Sequence, residues 1–107
     1  MTSVREITEG AQEQGVEEEI TYTLTVPATW GTPTGTPTVK GYSYIDGTFS
    51  DVTTTIFPVG AASVDSQVIT LPECKAMTEG VRYRVEVKFS TSEGDVKEAF
   101  AWIDCTR

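Results

Sequence analysis

Two cysteines, Cys74 and Cys105, sixteen carboxylates and no histidine form the reactive inventory of this 107-residue chain. Without histidine the chain lacks the commonest general base at neutral pH and the commonest transition-metal ligand. The cysteines are far from C-x-x-C spacing, and there is no G-x-S-x-G elbow, Gly-Lys phosphate loop or dinucleotide fingerprint. Paired carboxylates could work as acid and base, as glycosidases use them, yet no pair stands out here. Asp46 and Asp51 flank Gly47 outside the EF-hand pattern, and Asp in such a turn serves the turn. The expectation is a protein with no catalytic residues, no metal and no cofactor, which works by binding or assembly.

The net charge of -8 repels phosphate backbones, because nucleic-acid binding depends on Lys and Arg displacing counterions. Nucleic acid and anionic membrane are therefore not expected partners. No apolar run has signal-peptide or membrane-spanning length, so the chain is expected to be made in the cytosol. Free thiols are the default there, with a single Cys74–Cys105 bridge as the alternative.

One core is the working assumption for a chain of this length. Residues 1–19 are polar, interrupted by Gly10 and Gly15 and closed by Glu17, Glu18 and Glu19; they read as a flexible arm, frayed or ordered by a partner. Residues 20–107 read as the folded domain. Ile20, Tyr22, Leu24 and Val26 alternate with Thr21, Thr23 and Thr25, which predicts a strand ended by Pro27. The Pro- and Gly-rich stretch from Pro27 to Pro37 reads as a long loop carrying Trp30, either a plug packed onto the core or an exposed anchor. Further strands are predicted over Thr38 to Ile45, stopping at Asp46-Gly47; near Val52 to Phe57; and over Ser63 to Leu71, broken by Pro72. Strands at this spacing without helical periodicity predict an all-β, antiparallel sandwich.

The segment MTEGVRYRVEVKF, residues 77–89, places a Gly80 turn before Tyr83 and then alternates cleanly, the pattern of a tyrosine corner. Val81, Tyr83, Val85, Val87 and Phe89 share one face; Arg82, Arg84, Glu86 and Lys88 share the other. After Thr91 to Asp95 the chain returns with apolar residues on both faces, so periodicity does not choose a register. Charge does: pairing Phe89 with Lys97 sets Lys88 against Glu98, Arg84 against Trp102 and Arg82 against Asp104. Val87, Val85, Tyr83 and Val81 then meet Ala99, Ala101, Ile103 and Cys105. Phe100 and Trp102 thereby point outward beside Arg84, and these three, with Trp30, are the candidate protein-interface residues. A slipped register, or cover by the N-terminal arm, is the competing reading.

The segments EEITYTLTVPATWGTPT, SQVITLPECKAMTEGVRYRVEVKFS and EAFAWIDC resemble small proteins encoded among the virion structural genes of tailed bacteriophages. The resemblance spans most of Glu18 to Arg107 and is strongest from Ser66 onward. It implies an immunoglobulin-like β-sandwich serving as a head decoration or head-tail component. The implied partners are capsid, connector or tail proteins of the virion, with self-association a further option, and assembly would take place in the host cytoplasm. The alternative reading is a carbohydrate-binding or adhesion module that stacks Trp30 or Trp102 on a sugar ring.

Overall fold

The charge pattern of the C-terminal hairpin predicts the pairing that the computed structural model contains. Residues 4–6 and 12–106 are described. Strands run over Val4–Glu6 (β1), Gln12–Gly15 (β2), Ile20–Thr25 (β3), Pro33–Ile45 (β4), Thr48–Asp51 (β5), Ser63–Asp65 (β6), Val68–Cys74 (β7), Arg82–Thr91 (β8) and Val96–Thr106 (β9). In the β8–β9 hairpin, Phe89 opposes Lys97, Lys88 opposes Glu98, Arg84 opposes Trp102 and Arg82 opposes Asp104. Tyr83, Val85, Val87 and Phe89 are buried with Ala99, Ile103 and Cys105.

Two sheets pack into an all-β sandwich. The larger runs β1-β9-β8-β4-β5, with β2 also on the β9 edge; the smaller runs β3-β7-β6. Leu24, Val26, Ile69, Leu71 and Cys74 of the smaller sheet and its flanks share one core with the buried face of the hairpin. At the entry to β8 the buried Tyr83 hydroxyl accepts a hydrogen bond from the Thr78 N–H at 2.7 Å. Gly80, at φ 83°, donates its N–H to the Cys105 carbonyl at 2.9 Å, which ties that turn to the end of β9.

Four expectations change. The 1–19 segment contributes two strands: β1 pairs parallel with Glu98–Phe100 and β2 parallel with Ile103–Thr106, while residues 1–3 and 7–11 lie outside the described residues. The Pro-rich loop is shorter than expected, because β4 already pairs at Pro33↔Thr91 and accommodates Gly35 and Pro37 in an irregularity between Thr34 and Thr38. The strand expected near Val52 is displaced. Asp46 and Gly47 both take positive φ, as a two-residue hairpin turn requires, so β5 starts directly at Thr48 and residues Thr53–Ile56 (α1) form a helical turn. Finally, the single strand expected over Ser63 to Leu71 is a hairpin, β6 and β7 paired antiparallel about a turn at Ser66 and Gln67 with Ser66 at φ 55°, and Pro72 lies inside β7 rather than ending it. It sits where β7 carries one extra residue opposite β3, a position where a missing N–H is tolerated.

The helical turn replaces the sheet ladder at Gly41. Gly41 N–H donates to Thr53 Oγ1 at 3.0 Å and Val52 N–H donates to the Gly41 carbonyl at 2.8 Å. The fully buried Ile56 fills the space a Gly41 side chain would need, since a Cβ there would collide with Ile56 Cδ1 and lie 3.0 Å from its Cγ1. Gly41→Ala is expected to destabilise the fold by about 1–3 kcal/mol in urea titrations, and by less in an Ile56→Val background.

The two sheets are also joined by a buried polar contact. Gln14, only 1% exposed, donates from Nε2 to the carbonyls of Cys74 (2.8 Å) and Glu18 (2.9 Å), and its Oε1 accepts from the Tyr22 hydroxyl at 2.9 Å. Burial pushes the Cys74 thiol from its ordinary 9.0 up to about 12, with Cys105 nearby adding to the shift. Burial, then Cys74 and Glu18, pushes the Tyr22 hydroxyl from 10.0 up to about 12. Both are acids whose neutral form the fold favours. Their contribution is complete below their unfolded values and is lost as pH rises toward 12. Stability in urea should therefore fall progressively above about pH 9, and Cys74→Ala should flatten the start of that decline. An unchanged alkaline limb in that variant would place its origin elsewhere.

Candidate functional site

Alternation along β8 sends Arg82, Arg84 and Glu86 to the outer face, because Tyr83, Val85 and Val87 are buried. Arg82 lies between Asp104 of β9 and Tyr44 of β4; Arg84 lies between Trp102 and Tyr42; Glu86 lies between Phe100 and Lys40. β5 extends the first of these rows with Phe49, the partner of Tyr44. Cross-strand register therefore gathers Tyr42, Tyr44, Phe49, Phe100 and Trp102 on one face.

The rings form a continuous cluster. Phe49 and Tyr44 are 4.7 Å apart between centroids, and Trp102 lies 5.8 Å from Tyr44, 6.1 Å from Phe49 and 6.3 Å from Phe100. Arg84 sits among them: its guanidinium carbon is 4.0 Å from the Phe100 centroid and 5.9 Å from those of Phe49 and Trp102. Arg82 lies 5.4 Å from the Trp102 ring. A guanidinium over aromatic faces is attracted by the ring quadrupole, which holds long, otherwise mobile side chains in place.

Two ion pairs border the cluster. Arg82 donates to Asp104 from Nε at 2.7 Å and from Nη2 at 3.0 Å, and this bonding holds the Asp104 carboxyl below the usual carboxylate range. In so exposed a position the pair orients Arg82 more than it stabilises the fold. Glu86 Oε2 lies 2.9 Å from Arg84 Nε but out of line for a hydrogen bond, so that buried nitrogen is neutralised without being hydrogen-bonded. Beside the rings a groove of about 560 Å³ is lined by Thr36, Thr38, Lys40, Tyr42, Lys88 and Glu98, among others.

Of the residues nominated from sequence, Phe100, Trp102 and Arg84 converge on this face, with both aromatics half-buried. Trp30 stands elsewhere. It ends a 3-10 turn, Ala28–Trp30, and packs partly buried against the core, on a loop whose two ends Gln67 Nε2 holds by donating to the carbonyls of Val26 and Gly31. Sequence reasoning missed Tyr42, Tyr44 and Phe49. The period-2 spacing of the two tyrosines was the available signal, but their face is defined only once β4 is paired with β8. Tyr44 and Phe49 are 38% and 45% exposed, which makes them the accessible edge of the cluster. Asp51 is occupied locally: its Oδ1 accepts from Thr53 N–H at 3.0 Å and Thr53 Oγ1 at 2.7 Å, which lowers its pKa.

Chemically, this face offers apolar ring surface and delocalised cations, the residue types enriched where proteins contact one another, bordered by carboxylates as a polar rim. No protein-family model matches the chain, and no curated protein does either. A double-mutant cycle on Arg84→Ala and Phe100→Ala should give a coupling of about 0.5–1.5 kcal/mol in unfolding free energy. Zero coupling would show that the 4.0 Å stacking adds no stability.

Proposed function

We propose that this chain is a non-enzymatic structural component of a tailed-phage virion, an immunoglobulin-like sandwich that docks on capsid, connector or tail subunits through its Arg84 face. The immunoglobulin-like reading draws support from strand order. β3-β7-β6 corresponds to strands B-E-D and β9-β8-β4-β5 to G-F-C-C′, and Tyr83 stands near the start of the strand equivalent to F, where tyrosine corners occur. The chain departs from antibody domains in its cysteines, which fall on the equivalents of E and G rather than B and F. The virion role is supported by the resemblance of the three sequence segments.

The observation that carries docking is the arginine–aromatic cluster, a pre-ordered apolar surface with Tyr44 and Phe49 at its accessible edge. Burial of rings inside a polar rim would supply the contact, and many copies on a particle would multiply it. The groove beside Tyr42, lined by hydroxyl and charged side chains, favours the second reading, carbohydrate binding.

Phage carrying Phe49→Ser and Trp102→Ser should yield particles from which the protein is missing by mass spectrometry, while the purified variant keeps cooperative unfolding. Particles that retain the variant at wild-type copy number would exclude this face as the docking surface. Glycan-array binding by the purified chain, lost on the same substitutions, would instead establish the carbohydrate reading.

A further inference from the structure

β3 is an edge strand, paired with β7 on one side only. Val26 N–H donates to the Gln67 carbonyl at 2.7 Å, and Leu24 faces Ile69 two residues earlier in the same register. Antiparallel pairing alternates, so the backbone groups of Leu24 and Val26 point toward β7 and those of Thr23 and Thr25 point outward. Among the described residues no strand pairs with this outward row.

Edge strands are normally short, charged, bulged or interrupted by proline, which prevents pairing with other chains. β3 has none of these features. It is six residues long, ITYTLT, without charge or proline, and the extra residue of the β3–β7 irregularity lies on β7, leaving β3 regular. The other edges are shorter: β6 has three residues and ends in Asp65, and β5 has four and ends in Asp51.

We infer that β3 is a self-association edge, pairing antiparallel with β3 of a second copy about a twofold axis at Thr23. In that register Thr23 faces its own equivalent, Thr21 faces Thr25, Tyr22 faces Leu24 and Ile20 faces Val26. Threonine pairs form on the outer face and apolar pairs on the inner one, both favourable across strands. The strand is thus complementary to itself, and charge favours this orientation over a parallel one. The acidic run Glu17 to Glu19 falls opposite Pro27 and its neighbours, whereas a parallel arrangement would set the two runs side by side in a chain of net charge -8. The product is a six-stranded sheet made from two three-stranded ones, with the outer aromatic face of each copy left free.

Sedimentation of the full chain from about 10 µM to 1 mM should reveal a monomer–dimer equilibrium. Thr23→Pro removes one outward N–H from each copy and should weaken dimerisation about tenfold or more. Thr23→Lys, which retains the N–H and substitutes an exposed side chain, should do the same by placing two like charges face to face. In the wild type, the Thr23 and Thr25 amides should exchange more slowly with increasing concentration. A monomer throughout the range would overturn the inference. So would a dimer that survives both Thr23 variants, and if Phe49→Ser dissolves that dimer, the second copy occupies the aromatic face.

Discussion

The single register of β8 on β9 is the constraint on which the rest of the molecule depends. Shifting it by one residue would carry Tyr83, Val85 and Val87 to the solvent face and bring Arg82, Arg84 and Glu86 into the core, where unpaired charges are strongly disfavoured. Burial chooses which face is inside, and the Lys88–Glu98 and Arg82–Asp104 pairs agree with that choice. β4 then continues the same rows on the far side of β8, so Tyr42 and Tyr44 fall in line with Arg84 and Arg82. The aromatic face is thus the reverse side of the core, since one alternation produces both.

The second requirement is to hold the two sheets together at their edges. Tyr83 closes one connection by accepting from Thr78, and Ile56 closes another by filling the space over Gly41. Gln14 acts differently. It brings a polar group into the interior and satisfies both ends of its amide there, joining β2 of the larger sheet to the Cys74 carbonyl and the Tyr22 hydroxyl of the smaller. A buried amide lacking those partners would be destabilising, so β2 and the smaller sheet depend on each other.

Most strands, the sandwich and the hairpin register were legible because each rests on local alternation, turn residues or pairwise charge. The N-terminal strands were not. β2 reads QEQG, and its place in the sheet follows from hydrogen bonds that Gln14 makes with residues distant in sequence, which no local pattern records. β5 was misplaced for a related reason: Asp46 and Gly47 mark the turn, but the Asp51 carboxylate accepts from Thr53 and the chain turns out of the sheet into α1. At the candidate site, Arg84, Phe100 and Trp102 came from one hairpin and were found together. Tyr42, Tyr44 and Phe49 belong to a neighbouring hairpin whose alignment depends on tertiary pairing. Trp30 offered composition without periodicity, and composition does not distinguish packing against the core from exposure.

Charge is distributed unevenly over this fold, and that bears on where it can associate. On the outer face of β4, β5, β8 and β9, four of the eight basic residues, Lys40, Arg82, Arg84 and Lys88, meet four carboxylates, Asp51, Glu86, Glu98 and Asp104. Those eight charges sum to zero, so the net -8 resides in the rest of the chain. Like-charged surfaces repel within about a Debye length, roughly 8–10 Å at moderate salt. Two such molecules therefore meet most readily where charge is balanced or absent. The aromatic rows of β4, β5, β8 and β9 are balanced, with Glu13 of β2 at their margin beside Asp104, and β3 itself is uncharged; the two surfaces lie on different sheets. As proposed, the aromatic face takes a partner while β3 takes a second copy, and because the two surfaces are separate, contact with a larger assembly would not compete with pairing between subunits.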